Sequence, residues 1–221
     1  MIWAVVPAKL GNEAKVRLGT ILPASDRTRL AQAMLTDVLR ALVETDRFAG
    51  IAVVTRDDAA RRLAAEQGAL LVDEPQAGDL NAAVAAGIEA CVTRGATAVL
   101  VAMADLPLLA APEVARLLDH LPADGAAAAI SFDGTGTNLL AIRPPRALPT
   151  SFGPDSLERH REAAAQRGLA FRAIPLPGAA LDIDTPRDLE RLVAADRIAP
   201  ASLAMLREAG LVRVRDGAAS P

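Results

Sequence analysis

IAVVTRDDAARRLAAEQGALLV, residues 51–72, decides the fold class. Ile51 to Thr55 is a β-branched run suited to a strand. Asp57 to Gln67 reads as a helix closed by Gly68, and Ala69 to Val72 returns to strand chemistry. Strand, helix and strand in such quick succession form a βαβ unit, the connection that parallel strands require. The alternation extends both ways. Upstream, Met1 to Val6 is a short apolar run ended by Pro7, which suits a buried first strand. A polar loop, Ala8 to Thr20, leads to an N-cap signal at Pro23-Ala24-Ser25-Asp26. Leu30, Met34, Val38 and Leu42 then recur at helical spacing to about Glu44. Downstream, Asp79 to Thr93 is an Ala-rich helix stopped by Gly95. Ala98 to Met103 is a continuously apolar strand of the kind buried on both faces of a parallel sheet.

The second half predicts a helix from Pro112 to about His120 and a turn-linked strand pair, Ala127 to Phe132 and Asn138 to Ile142. A helix over Asp155 to Gln166, a strand over Ala170 to Ile174 and a loop over Pro175 to Ala180 follow. Thr185 as N-cap and Pro186 at the first helical position open one more helix. The expectation is an α/β protein with a mostly parallel, mixed sheet flanked by helices. One domain spans residues 1–212, with a flexible tail over 213–221.

Composition narrows the function. The 221 residues carry a net charge of −3 and include 49 alanines, so the 52% hydrophobic fraction reflects small side chains. No apolar run approaches the roughly 20 residues of a membrane span, and Pro7 interrupts the start too early for a secretory leader. A soluble cytoplasmic protein without membrane partners is expected. The single Cys91 excludes an internal disulfide framework and reads as a small buried residue. His120 and His160 leave little room for zinc, and His160, on the face of Glu158-Arg159-His160-Arg161, reads as solvated. There is no basic stripe with interleaved aromatics for nucleic acid and no G-x-S-x-G nucleophile elbow. Of 24 basic residues 22 are arginine, and the two lysines, Lys9 and Lys15, are the first two in the chain. Asparagine is also scarce, at Asn12, Asn81 and Asn138.

In open α/β sheets, ligands bind beyond the carboxyl ends of the strands. Three segments stand there. The loop after the first strand carries Lys9, Lys15 and Arg17, three cations suited to a polyphosphate or simply to a solvated surface; it matches neither the Walker spacing nor G-x-G-x-x-G. Asp105 follows the apolar strand directly in Ala104-Asp105-Leu106-Pro107, as a ligand group or a turn aspartate. Asp182-Ile183-Asp184 in extended form places both carboxylates on one face with Ile183 turned inward. Such a pair suits a hard divalent cation, Mg²⁺ foremost, when substrate phosphates complete the shell; Asp184 or Thr185 alternatively caps the next helix. Gly136-Thr137-Asn138 and Phe152-Gly153-Pro154-Asp155-Ser156 are turn-rich segments able to hold an anion or to serve as ordinary caps. Cations for a triphosphate and aspartates for a metal together suggest nucleotidyl transfer.

The ordered set Val5-Val6-Pro7-Ala8-Lys9, Ala14-Lys15-Val16-Arg17-Leu18, Asp79-Leu80-Asn81-Ala82-Ala83-Val84, Ala104-Asp105-Leu106-Pro107, Gly136-Thr137-Asn138, Phe152-Gly153-Pro154-Asp155-Ser156 and Asp182-Ile183-Asp184-Thr185-Pro186 resembles the CofC/FbiD guanylyltransferases. The resemblance implies a Rossmann-like nucleotidyltransferase fold. It also implies GTP-dependent guanylylation of a small phosphorylated three-carbon acid in biosynthesis of a deazaflavin coenzyme. The acceptor is left open among phosphoenolpyruvate, 2-phospho-L-lactate and 3-phospho-D-glycerate. Asp105, Asp182 and Asp184 are then the metal ligands. Thr137, Gly153 and Ser156 hold the acid, Lys9, Lys15 and Arg17 meet the GTP phosphates, and Asn81 contacts the nucleoside. Lys15, Arg17 and Asp105 carry the catalysis. Val16 stands where that family usually has serine. The competing readings are a related transferase, such as a molybdopterin guanylyltransferase or sugar-phosphate nucleotidyltransferase, and a non-catalytic nucleotide-binding module. Oligomeric state is open, a homodimer included.

Overall fold

The computed structural model describes residues 1–10, 15–76 and 79–212. Asn12 and the tail expected over 213–221 lie outside them. Seven strands form one sheet: β1 (Ile2–Pro7), β2 (Gly50–Val54), β3 (Leu70–Val72), β4 (Ala98–Ala102), β5 (Gly125–Ile130), β6 (Thr137–Arg143) and β7 (Ala170–Ile174). Their spatial order is β3-β2-β1-β4-β6-β5-β7. β6 alone runs against its neighbours, β4 and β5; every other pairing is parallel. The mixed, mostly parallel sheet and the antiparallel pair in the second half therefore match the sequence reading.

β1 and β4 are central, and each strand serves two cores by the period-2 alternation of side chains. Ala4 and Val6 face one apolar layer and Val5 the other; Ala98, Leu100 and Ala102 oppose Val99 and Val101 in the same manner. Helices α1 (Ala24–Glu44), α2 (Asp58–Glu66) and α4 (Ala111–Asp119) contribute to the first layer, α3 (Leu80–Thr93) and α5 (Ser156–Gln166) to the second. At Gly87 of α3, an added Cβ would fall 2.4 Å from Val5 Cγ1, so the missing side chain lets this helix lie against the sheet. A third, smaller cluster joins α1 to α7 (Pro186–Val193) and α8 (Pro200–Glu208).

Three local readings need correction, and helix α8 adds an element not read from the sequence. Neither Ser25 nor Asp26 caps α1: the helix begins at Ala24 with Pro23 in the cap position and no side-chain cap bond. The stretch expected as loop over Pro175 to Ala180 contains the short helix α6 (Pro177–Ala180). The end of the first polar loop is a 3-10 turn, Val16–Thr20. Helix α8 carries no capping side chain of its own; buried Asp37 of α1 accepts from Ala201 N at 2.9 Å and Ser202 N at 2.7 Å, so its terminus is satisfied from a distant segment. Among the described residues, no helix is long and apolar enough to cross a membrane.

Candidate functional site

The reversal of β6 assembles the site. Because β6 pairs antiparallel with β4, its first residues stand beside the carboxyl end of β4, and Met103 N donates to Asn138 O at 3.1 Å. Thr137 and Asn138 thus reach the same sheet edge as Asp105. The buried Asn138 amide then draws in the third segment. Its Nδ2 donates to Ala179 O at 3.0 Å, Ala180 O at 2.8 Å and Asp182 Oδ1 at 3.3 Å. Ile183 is fully buried in the small third core, so its two flanking carboxylates turn back toward the sheet as the extended reading predicts. Thr185 and Asp188 form a reciprocal capping box at the start of α7. Helix capping therefore falls to Thr185, and the Asp184 carboxylate is left for other partners.

Single carboxylate oxygens of Asp105, Asp182 and Asp184 all lie within 4.8 Å of one another. Lys15 bridges two of them, its Nζ 2.5 Å from Asp105 Oδ2 and 2.8 Å from Asp184 Oδ1. Its backbone is left-handed, with φ of 54°, a conformation that costs an ordinary residue about 1–2 kcal/mol and persists only when its surroundings hold it. Burial disfavours the ammonium, but Asp105 and Asp184 outweigh it and hold the Lys15 pKa above its ordinary value. Asp182 is the uncompensated member. Burial first, then the Asp105 charge, with a smaller contribution from Asp184, push it up to about 6 despite hydrogen bonds from its own backbone and Asn138. One ammonium for three carboxylates leaves negative charge converging on a small volume, a donor set of hard oxygens that fits Mg²⁺ better than a soft or nitrogen-seeking metal.

Two cavities meet at this cluster, and Asp105 and Asp184 line both. The smaller, about 290 Å³, lies beyond β1, β2 and β3 and includes Lys9, Lys15, Glu74 and Leu80 in its walls. The larger, about 630 Å³, is lined by Arg17, Thr137, Gly153, Ser156 and Asp182 among others. Gly153 has φ of 119°, which residues with a Cβ rarely adopt. Of the residues singled out from sequence, Lys9, Lys15, Arg17, Asp105, Thr137, Gly153, Ser156, Asp182 and Asp184 all line one cavity or the other. Asn81 lines neither. Its Nδ2 donates to Phe152 O at 3.1 Å and its Oδ1 accepts from Phe152 N at 2.7 Å, so this amide clamps the Phe152–Ser156 loop onto α3. These two hydrogen bonds give it a positioning role.

His160 corrects the reading of a solvated ring, for it is fully buried. Nε2 accepts from Ser151 N at 2.9 Å, which puts the ring proton on Nδ1, 3.2 Å from Thr137 Oγ1. The Thr137 hydroxyl thereby accepts from the ring and keeps its own proton for a ligand. Burial, aided by Arg159, pushes the His160 pKa down to about 4, so the ring is neutral. Two further residues escaped the sequence reading. Glu74 stands just past β3, where the strand-end rule applied once more would have found it. Arg191 of α7 lies over the Phe132 ring at 4.4 Å and pairs with Asp188 at 2.9 Å on the wall of the larger cavity; no strand-end signal marks it.

Comparison with known proteins agrees with this geometry. The chain is 42% identical over 199 residues to a phosphoenolpyruvate guanylyltransferase of Rubrobacter xylanophilus, covering 88% of this chain and 94% of the relative. It is 38% identical over 189 residues to a protein of the same name from Sphaerobacter thermophilus, covering 86% and 91%. A 3-phospho-D-glycerate guanylyltransferase of Phenylobacterium zucineum is 38% identical, with 85% and 88% covered. In fold the chain is similar to a CMP:2-keto-3-deoxy-manno-octonic acid synthetase, with a TM-score of 0.58, 15% identity and 94% and 99% of the two chains covered. It is also similar to the 4-diphosphocytidyl-2C-methyl-D-erythritol synthase of Anaerococcus prevotii, with a TM-score of 0.59, 13% identity and 85% and 94% covered. This is the nucleotidyltransferase fold. The family described as guanylyl transferase, CofC-like, matches residues 2–208, and the chain belongs to the CofC family of guanylyltransferases.

Proposed function

We propose that this enzyme transfers GMP from GTP to a small phosphorylated three-carbon acid, phosphoenolpyruvate or 3-phospho-D-glycerate first among them, in assembly of a deazaflavin coenzyme. The observation that carries the proposal is the position of Asp105, Asp182 and Asp184 where two cavities of different character meet. GTP occupies the smaller cavity with its phosphates reaching the cluster, and the acid occupies the larger. Residues 1–212 act as a single catalytic domain.

Asp105, Asp182 and Asp184 would hold Mg²⁺, which supplies charge neutralisation on the transferring phosphoryl group when bound. Thr137 donates its hydroxyl proton to the acid, the Gly153 loop and Ser156 close around it, and Arg17 offsets its charge. Lys15, on the wall of the smaller cavity, stabilises the pyrophosphate as it leaves. An oxygen of the acid's phosphate attacks the α-phosphorus of GTP, and the bond from the α-phosphorus to the α,β-bridging oxygen breaks. The nucleophile is already anionic, so the protein need not supply a general base.

The test is an assay of purified protein with GTP, Mg²⁺ and each acid in turn, including 2-phospho-L-lactate, following pyrophosphate and the coupled product by mass. Acid-dependent pyrophosphate together with a guanylylated acid is expected. Release with none of the acids, or release that ignores the acid added, overturns the proposal.

A further inference from the structure

We infer that Lys9 and Glu74 together read the nucleotide base and that the base they select is guanine. The inference rests on the reading of the smaller cavity as the GTP site. The sheet brings the two residues together across the end of β2. Ala8 N donates to Val54 O at 3.0 Å, and Thr55 N donates to Val72 O at 3.0 Å. These bonds carry the β1–β2 and β2–β3 ladders one step past the strands and direct Lys9 and Glu74 to the same rim. The Glu74 backbone is fixed as well, since its carbonyl accepts from Arg56 Nε at 2.8 Å. Lys9 Nζ then meets Glu74 Oε1 at 2.9 Å.

The pair is not built like an ordinary surface ion pair. The Lys9 side chain is 66% exposed, whereas that of Glu74 is 10% exposed and lines the cavity. Val54, Leu80 and Ala83 give the same cavity apolar walls suited to a flat ring. Its other carboxylates, Asp105 and Asp184, are committed to Lys15. Among the described residues lining this cavity, Glu74 is the carboxylate not held by Lys15.

The pair presents an ammonium donor beside two carboxylate acceptor oxygens. A base that complements it offers, along one edge, one acceptor followed by two donors. Guanine does so, with O6, N1–H and the 2-amino group. Adenine puts an amino donor where the ammonium needs an acceptor and an unprotonated ring nitrogen where the carboxylate needs a donor. Cytosine fails in the same way, and uracil has one donor between two acceptors. Both contacts are charge-assisted, which makes them the stronger kind of hydrogen bond.

Calorimetric binding of GTP, ITP and ATP in Mg²⁺ tests the inference. ITP keeps O6 and N1–H and lacks the 2-amino group. Wild type is expected to prefer GTP over ITP by about 10-fold, the loss of one hydrogen bond to a charged group. Glu74→Gln should bring GTP and ITP within about 3-fold of each other, because the amide offers one acceptor where the carboxylate offered two. Lys9→Met should weaken GTP and ITP alike, leaving their ratio unchanged while narrowing the gap to ATP. A GTP-to-ITP ratio unchanged in Glu74→Gln, or a GTP-to-ATP ratio unchanged in Lys9→Met, overturns the inference. The exposed Lys9 variant keeps the test decisive if Glu74→Gln does not fold. Selective GTP binding without turnover on any acid would defeat the transfer proposal and leave this one standing. Turnover of all three nucleotides at equal efficiency would do the reverse.

Discussion

Replacing His160 with Asn separates a buried neutral histidine from the rest of the protein's acid response. The ring is fully buried, and its pKa lies near 4 against an ordinary value of 6.5. Between those limits the unfolded chain binds a proton that the native state refuses. Stability therefore rises with pH through this window and is lost as pH falls from about 6.5 toward 4. At 1.36 kcal/mol per pH unit, the cost is about 2 kcal/mol at pH 5 and about 3 kcal/mol below pH 4. Asn can still offer a donor toward Thr137 but does not titrate. The variant loses the acceptor for Ser151 N–H, so it should be less stable at pH 7.5 by about 1–3 kcal/mol, the penalty of an orphaned buried donor. On acidification it should lose about 2 kcal/mol less than wild type between pH 7.5 and pH 5. Urea titrations at several pH values measure both quantities. The only tryptophan, Trp3 in β1, in a chain without tyrosine gives a clean fluorescence signal. Parallel stability curves for the two proteins would refute the assignment of a buried, neutral ring.

Asp182→Asn should abolish pyrophosphate release while leaving the melting temperature in the absence of Mg²⁺ unchanged or raised, because it removes a half-buried charge crowded by two others; a scan with and without Mg²⁺ should also show that the cation's stabilising effect is lost. Asn81→Ala removes both hydrogen bonds to Phe152, a loss of about 1–3 kcal/mol. Its kinetic signature is a raised KM for the acid with GTP binding unchanged; equal damage to both substrates would argue against the clamp. Lys15→Arg should lower kcat/KM for GTP at least about 10-fold, as expected where the two cations are not interchangeable, and wild-type kinetics would show that the bridge tolerates either.

Elements governed by neighbouring residues were legible from the sequence. Helix α1 ends at Glu44 as its periodicity predicts, and Thr185 with Pro186 opens α7 as cap chemistry requires. The facing of Asp182 and Asp184 followed from strand geometry and one apolar residue between them. What escaped depends on residues far apart in the chain. Helix α8 carries no cap of its own, because Asp37 satisfies it from 164 and 165 positions away. His160 lies among Glu158, Arg159 and Arg161, so its neighbourhood reads as solvent. Its burial comes from the Ser151–Phe152 segment folding over one side of α5, where the Phe152 ring meets the imidazole edge-on at 5.2 Å. Asn81 marks a segment that matters, but its amide is engaged by a loop 71 residues later. A motif thus points to a neighbourhood, while the tertiary contacts decide whether a residue touches ligand or holds the residue that does.

Lysine survives at position 15 in a chain that uses arginine almost everywhere else, and the geometry supplies a reason. Asp105 Oδ2 and Asp184 Oδ1 both lie within 2.8 Å of one nitrogen, inside a cluster whose carboxylate oxygens converge within 4.8 Å. A compact ammonium with three rotatable donors bridges oxygens so placed; a planar guanidinium spreads its donors over a rigid fork and needs more room. The backbone at Lys15 turns left-handed, and the two ion pairs help to hold that turn in place. The same carboxylates that would bind the cation therefore also hold the residue that would meet the triphosphate. A divalent cation held by Asp105 and Asp184 would draw on the same oxygens that meet Lys15 and would free part of the ammonium's donor capacity for the nucleotide. Metal and GTP binding should accordingly reinforce one another through Lys15, and a lysine can yield one donor at a time where an arginine fork would release a bidentate contact as a unit.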